Sequence, residues 1–262
     1  EVCTIKDIAL SFNDSIVWLN TERGFYQFTM AGEKFKPVGL PGDNEKIRIQ
    51  APGPECVFIA TAGHIYRYNW NIGKIDVLAT GNINFDINRM LYANSCLYVG
   101  TDEGLYCMDL NTGRKQWYRK EAGNPASLSG NLVTELLQDK EGAIWIGTTH
   151  GLTLFDPADT SFITYKEDPY NPNGLINNSI VSLEEGKNGD IWVGTSKGLC
   201  VFNKNTAEFT SFNRADPYSL TSRLTSVMFE DSRNYLWVGT SNKGLNRINR
   251  FTGIIDHFRY HP

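Results

Sequence analysis

Short apolar runs closed by Gly, Asn or Asp recur along the chain, and nowhere does an apolar stripe of helical period persist over a useful length. The runs are copies of one another. Ile144-Trp-Ile-Gly-Thr-Thr-His-Gly-Leu152 returns as Ile191-Trp-Val-Gly-Thr-Ser-Lys-Gly-Leu199 and as Leu236-Trp-Val-Gly-Thr-Ser-Asn-Lys-Gly-Leu245. Weaker copies precede them at 17–25, 57–65 and 97–105. The marker glycines Gly24, Gly63, Gly104, Gly151, Gly198 and Gly244 are spaced by 39, 41, 47, 47 and 46 residues. A period of that size is one four-stranded blade of a β-propeller.

Each copy supplies four strands. In the fourth, Leu132 to Gln138 reads as strand A, Ala143 to Thr148 as B, Leu152 to Asp156 as C and Ser161 to Lys166 as D. Asp139-Lys-Glu-Gly142 closes A to B, and Gly186-Lys-Asn-Gly189 and Asp231-Ser-Arg-Asn234 hold the same place later; all are residues that tolerate turns. Gly151, Gly198 and Gly244 are expected at left-handed positions of the B-to-C hairpin. The Ile-Trp-Ile-Gly strand is apolar on both faces, as befits a sheet packed between two others. Trp18, Phe58, Tyr98, Trp145, Trp192 and Trp237 recur once per copy and are expected to pack between blades.

The predicted fold is therefore all-β: one propeller region over 1–262, with six antiparallel four-stranded blades at about 4–40, 41–83, 84–122, 123–170, 171–217 and 218–262. The closing Phe258-Arg-Tyr-His-Pro262 matches Tyr165-Lys-Glu-Asp-Pro169, the opening of a connector to another blade. Two arrangements stay open: six blades that close by themselves, or an incomplete part of a seven-bladed ring with exposed terminal faces that promote association.

Composition narrows the function. A chain that is 41% apolar and 12% aromatic has material for a large core. A net charge of -4 gives no broad basic field, so nucleic acid is not an expected partner. No apolar stretch is long enough for a membrane helix, and the N-terminus carries neither Met nor a leader pattern, as expected of a mature or excised segment. Cys3, Cys56, Cys96, Cys107 and Cys200 never form a CxxC pair, and the four His form no HxxxH, so no metal and no cofactor is expected. Buried thiols are the favoured state of the cysteines, with a Cys56–Cys96 bridge as the alternative.

Enzymatic readings find little support in the residues. Asp139-x-x-Gly142-x-x-Trp145 is similar to the Asp box of sialidases but lacks its leading serine. Cys107-Met-Asp-Leu-Asn-Thr-Gly-Arg-Lys-Gln-Trp117 resembles one repeat of pyrroloquinoline-quinone propellers, yet it occurs in a single copy and reads equally as a C-to-D hairpin. No carboxylate pair, Ser-His-Asp set or phosphate loop can be assembled, so no catalytic residue is assigned.

The unit D-x-x-G-x-[IL]-W-[IV]-G-T-x-x-G-L, followed by connectors such as Asp216-Pro-Tyr-Ser-Leu220, resembles the two-component regulator propeller repeat. The match is specific over 132–262 and weak before 85. The resemblance implies a periplasmic sensor region of a Bacteroides-type hybrid histidine kinase, responding to glycan fragments. It also implies partners: further blades and domains of a parent receptor, and a homodimer in the full receptor. An alternative of another class is a structural or protein-interaction propeller without its own small ligand; a lyase or quinone-dependent enzyme is a third.

Because successive antiparallel strands reverse, the B-to-C turns and D-to-A connectors emerge on one face. That face places Arg23, Glu103, His150, Lys197 and Lys243 at comparable turn positions, with Tyr170 and Tyr218 on the connectors. If the ring closes, Lys197, Lys243 and Arg23 fall on consecutive blades and His150 one blade further. Arg23, His150, Tyr170, Lys197, Tyr218 and Lys243 are the candidate ligand residues, a basic sector for a sulfated or uronic-acid glycan with tyrosines stacking on sugar faces. Solvated hairpin tips are the competing reading.

Overall fold

A computed structural model describes residues 4–11, 15–40, 47–52, 55–61, 63–80, 86–212, 220–222, 225–241 and 243–259. Tyr218, most of the connector at 216–220, Cys3 and the closing His261 and Pro262 lie outside them. The chain forms two compact units, Glu1–Asp102 with Cys107–Lys115, and Glu103–Tyr106 with Gln116–Pro262.

Six four-stranded antiparallel sheets are present, each taking four consecutive strands in order, so the fold is an all-β propeller of six blades. The first is built from β1 (Ile5–Leu10), β2 (Ile16–Thr21), β3 (Gly24–Thr29) and β4 (Lys34–Pro37), and the second from β5 (Arg48–Gln50), β6 (Cys56–Thr61), β7 (His64–Asn69) and β8 (Lys74–Thr80). The third takes β9 (Ile87–Ala93), β10 (Cys96–Thr101), β11 (Leu105–Asp109) and β12 (Lys115–Tyr118). The fourth holds β13 (Val133–Gln138), β14 (Ile144–Thr148), β15 (Gly151–Asp156) and β16 (Ser161–Tyr165), within a residue of the sequence expectation at every boundary. The fifth has β17 (Ile180–Glu185), β18 (Ile191–Thr195), β19 (Gly198–Asn203) and β20 (Glu208–Ser211). The sixth has β21 (Thr225–Glu230), β22 (Tyr235–Thr240), β23 (Gly244–Asn249) and β24 (Ile255–Phe258). Among the described residues the sole helical turn is the 3-10 segment Met30–Gly32, and no helix is long and apolar enough to cross a membrane.

The repeated Gly-Thr-x-x-Gly has a different physical basis from the one expected. Gly151 and Gly198 are the first residues of their C strands, with φ of +132° and +138°, far from the left-handed helical region near +57°. A Cβ on Gly151 would stand 2.6 Å from the Tyr165 carbonyl oxygen of strand D. The glycine is thus fixed by an extended positive-φ backbone that side chains disfavour and by a close backbone approach. The threonine closes the turn instead: Thr148 Oγ1 donates to the Gly151 carbonyl at 3.0 Å and accepts from His150 N at 3.0 Å. Thr195 repeats both bonds with Gly198 and Lys197, and Thr21 with Gly24 and Arg23.

Trp18, Trp145 and Trp192 join blades, as their spacing predicts, while Trp237 is half-buried against Phe258 of its own blade. Trp145 of the fourth blade is buried in a cluster otherwise dominated by the fifth, with Ile180, Leu183, Val193 and Phe202. Trp192 sits likewise with Met228, Leu236, Val238 and Ile248 of the sixth. The glycine of each B strand makes the contact possible. A Cβ on Gly147 would meet Ile180 Cγ2 at 2.7 Å, and one on Gly194 would collide with the Ser182 and Thr225 hydroxyls. In each case the first residue of the next blade's strand A presses on the missing side chain.

Polar clamps tie the same blades together on the side of the A-to-B turns. Asp139 Oδ1 accepts from the backbone of Glu141 and Ala143, while its Oδ2 accepts from the Trp145 indole at 2.8 Å. Asp231 does the same for Arg233, Tyr235 and Trp237. Lys204 of the fifth blade reaches Asp139 of the fourth at 2.8 Å and Glu185 of its own at 3.3 Å. Arg250, at the matching position of the sixth blade, binds Glu230 at 2.9 Å and Asn188 of the fifth at 2.7 Å. The strand-end carboxylates complete the device: Glu185 accepts from Lys140 N and Glu230 from Lys187 N, both at 3.0 Å. Burial raises the Asp139 pKa, but the bonds from Lys204 and Trp145 outweigh it and hold the carboxyl below its ordinary range.

Candidate functional site

The face of B-to-C turns and D-to-A connectors is built from these turns, and in the second unit its parts can be followed residue by residue. The connector from the fourth to the fifth blade runs back onto the turns: Gly151 N donates to Asn178 O at 2.8 Å, and Ser196 N to Ser179 O at 3.0 Å. Turn tips and connectors thus share one side, as strand reversal requires.

The candidates on it have unlike surroundings. Lys197 pairs with Glu167 of the connector at 3.1 Å. Glu167 also accepts from Asn177 Nδ2 at 3.1 Å, and Ser196 Oγ donates to Asn177 Oδ1 at 2.7 Å. The hydrogen bond from Lys197 lowers the Glu167 pKa more than burial raises it. This ammonium is therefore one member of a carboxylate, amide and hydroxyl network. His150 is exposed at the preceding turn, its Nδ1 2.9 Å from Thr149 Oγ1. Tyr170, on the connector that supplies Glu167, is 94% exposed and its ring stands in solvent. Lys243 is exposed at the turn of the sixth blade, and Arg23 at the turn of the first, in the other unit. Tyr218 lies outside the described residues.

Other chemistry is placed as follows. Cys56, Cys96, Cys107 and Cys200 are free thiols, which removes the Cys56–Cys96 bridge. Burial first, and then the neighbouring Cys96, pushes the Cys107 thiol up to about 12; burial pushes Cys200 to about 12 as well. The segment from Asp109 to Trp117 is a hairpin between β11 and β12, with Asp109 Oδ1 accepting from Asn111 and Thr112 N–H groups. Among the described residues no group of three His, Cys, Asp or Glu side chains is arranged around a metal position.

Comparison with known proteins fits this architecture. The sequence profile described as "two component regulator propeller" matches residues 127–150, 174–197 and 219–242, each match running from the end of a connector through strands A and B to the turn. No curated protein matches the chain significantly. Among solved structures, an extracellular domain assigned to a hybrid two component system of B. thetaiotaomicron superposes with a TM-score of 0.73 at 22% identity, over 98% of this chain and 35% of that one. A second such domain from the same organism gives 0.51 at 23% identity, over 97% and 35%. The chain therefore spans about a third of the length of these ectodomains. A catalytically inactive virginiamycin B lyase from Staphylococcus aureus, solved with quinupristin, gives 0.74 at 14% identity, over 98% and 84%. Identities this low establish the fold alone, and a fold shared by a sensor domain and a lyase does not choose between their functions. The repeat motif does separate them: three stretches of the chain match the two component regulator propeller repeat.

Proposed function

We propose that this chain is a ligand-sensing segment of the periplasmic region of a hybrid two-component sensor histidine kinase, and that it recognises an oligosaccharide on the face of B-to-C turns and D-to-A connectors. The matched repeat supports the receptor class, and the neighbouring extracellular domains support its location. The observation that carries the ligand class is the exposed Tyr170 ring on the connector whose Glu167 and Asn177 bond Lys197 and Ser196 of the adjoining turn. An aromatic face beside alternating donors and acceptors suits a sugar ring, whose C–H face stacks while its hydroxyls both donate and accept. His150 and Lys243 extend the polar surface to the neighbouring turns, and Arg23 and Tyr218 are the further candidates. The segment itself is read as non-catalytic, with the kinase chemistry in other parts of the parent protein.

The test is a thermal-shift panel of neutral and acidic oligosaccharides, repeated on Tyr170→Ala and on Lys197→Ala with Lys243→Ala. Stabilisation by a saccharide that Tyr170→Ala abolishes supports this face; equal stabilisation of all variants removes it. A second reading, a protein-interaction propeller, draws on the exposed Val227 and Phe229 of β21, each 61% accessible. Absence of any saccharide response, together with dimerisation that Val227→Ser and Phe229→Ser suppress, would favour that reading.

A further inference from the structure

A cavity of about 500 Å³ lies in the second unit between the outermost strand of the fourth blade and the connector that precedes that blade. Its walls are Phe162, Ile163 and Thr164 of β16 on one side and Pro125 and Ala126 on the other, with Lys120 and Lys166 beside them. The volume is within the range of small-molecule sites.

The fifth blade shows why the cavity exists. Its connector has the same design: Asn171-Pro-Asn173 repeats Asn124-Pro-Ala126, and Glu167 N bonds Asn178 Oδ1 as Lys120 N bonds Asn131 Oδ1. There the connector is fastened to the edge strand, with Phe209 N donating to Asn173 O at 2.8 Å and Asn173 Nδ2 to Glu208 Oε1 at 3.3 Å. In the fourth blade Ala126 replaces the asparagine and Ser161 the glutamate, and among the described residues no hydrogen bond joins Phe162 to Ala126. The registers of the two blades agree, Phe155 opposite Phe162 and Phe202 opposite Phe209. Phe162 N–H therefore points outward as Phe209 N–H does, into the gap rather than into the sheet.

Thr164 Oγ1 still ties β16 to the connector, donating to Ser127 O at 3.1 Å, but beside it the gap offers the free backbone edge at Phe162, apolar walls and two ammonium groups. Lys120 Nζ has only long contacts, 3.5 Å each, to Asn124 O and Ser127 Oγ. Lys166 makes no ion pair among the described residues. The nearby carboxylate of Glu121 is turned to Asn124 Nδ2 at 2.7 Å.

We propose that this cavity binds an acidic sugar residue, a uronate ring of one or two units. Its carboxylate pairs with Lys166 and Lys120, its hydroxyls engage the outward backbone groups of β16, and its C–H face lies on Phe162 and Pro125. The ligand class rests on the oligosaccharide reading above; the cavity and its open edge do not. The site is separate from Tyr170 and Lys197, so the two can fail separately.

Calorimetric titration of the whole chain with digalacturonate, a neutral disaccharide, a tri-glutamate peptide and inorganic sulfate tests it, using wild type, Lys166→Gln and Ala126→Asn. Ala126→Asn supplies the residue that fastens the connector in the fifth blade, and melting curves report that both variants fold. The expected result is binding of digalacturonate alone, weakened about tenfold or more by Lys166→Gln and abolished by Ala126→Asn. Unchanged digalacturonate affinity in both variants overturns this site while leaving the oligosaccharide reading intact. Tighter binding of the peptide than of digalacturonate makes the edge a strand-addition site and overturns the sugar assignment. Sulfate binding as strong as digalacturonate reduces it to a bare cation pair. No response to any saccharide overturns both readings.

Discussion

Replacing Lys204 by methionine keeps the aliphatic stem and removes one charge from the clamp between the fourth and fifth blades. The charge left behind is deeply placed: the Asp139 side chain is 2% exposed and that of Glu185 9%, against 16% for Lys204. Removing one partner of a buried pair costs about 3–5 kcal/mol, because the remaining carboxylates lose their counter-ion without regaining water. The partial exposure of Lys204 points to the lower end, about 3 kcal/mol, or a fall in melting temperature of about 6–12 °C for a unit of this size. The pH dependence separates this cause from lost packing. In the wild type Asp139 is held below its ordinary value of 3.8, so its stabilisation is complete above that value and is lost as pH falls through the lower folded pKa. Without Lys204, burial is opposed only by the Trp145 and backbone bonds, the folded pKa rises, and the variant loses less stability than the wild type as Asp139 takes up a proton. The gap between the two proteins should be full at pH 7 and narrow as pH approaches 3.8. Urea unfolding at pH 7, 5 and 4 measures it. A loss under about 1 kcal/mol, or a gap that does not change with pH, would refute the clamp.

Three further outcomes follow from the same geometry. Gly186→Asp restores the residue that Asp139 and Asp231 provide, and would give the Trp192 indole, which lacks a partner among the described residues, an acceptor. Its Cβ, however, would stand 2.9 Å from Asn188 Oδ1 and 3.1 Å from Glu230 Oε2, so the substitution should destabilise by about 1–3 kcal/mol in chemical denaturation; any gain would contradict the account of Arg250 and Glu230 as the local substitute. Gly194→Val should cost at least as much, because the Ser182 and Thr225 hydroxyls already fill the place of its side chain, whereas Gly113→Ala, with nothing within 4 Å, should cost only the strain of φ +74°. Cys107 and Cys200, with thiols near 12, should resist iodoacetamide at pH 8 in the folded protein and react after denaturation, as peptide mass spectrometry would show.

Much of the fold was legible in the residues because the propeller repeats its local chemistry. Period, strand limits in the fourth blade and the inter-blade place of Trp18, Trp145 and Trp192 all follow from alternation and turn residues within one copy. The marker glycine was found for an incomplete reason: its place is set by the Tyr165 carbonyl, which belongs to a strand several residues away. The threonine beside it recurs in every copy and carried the missing clue, since a hydroxyl two or three residues from a turn can close it. The inter-blade clamps were harder to see. Lys204 and Arg250 each follow strand C of their blades, and Glu185 and Glu230 each end strand A, yet only the stacking of sheets brings them to Asp139 and Asn188. The same holds on the opposite face, where Lys197 was visible as a charge but Glu167, its partner, looked like an ordinary connector residue. The cavity beside Phe162 depends on a contact that is made in one blade and missing in another, a difference of Asn173 against Ala126 that gains meaning only beside the Phe209 bond.

The central claim is that the chain binds a saccharide and does not transform it. Titration calorimetry of the intact chain against a panel of neutral and acidic oligosaccharides, followed by mass analysis of each ligand after prolonged incubation, tests this most directly. The account expects at least one saccharide to bind saturably, with Tyr170→Ala or Lys166→Gln weakening it, and to be recovered unchanged. Recovery of a cleaved or eliminated product, or no saccharide binding at all, would contradict it.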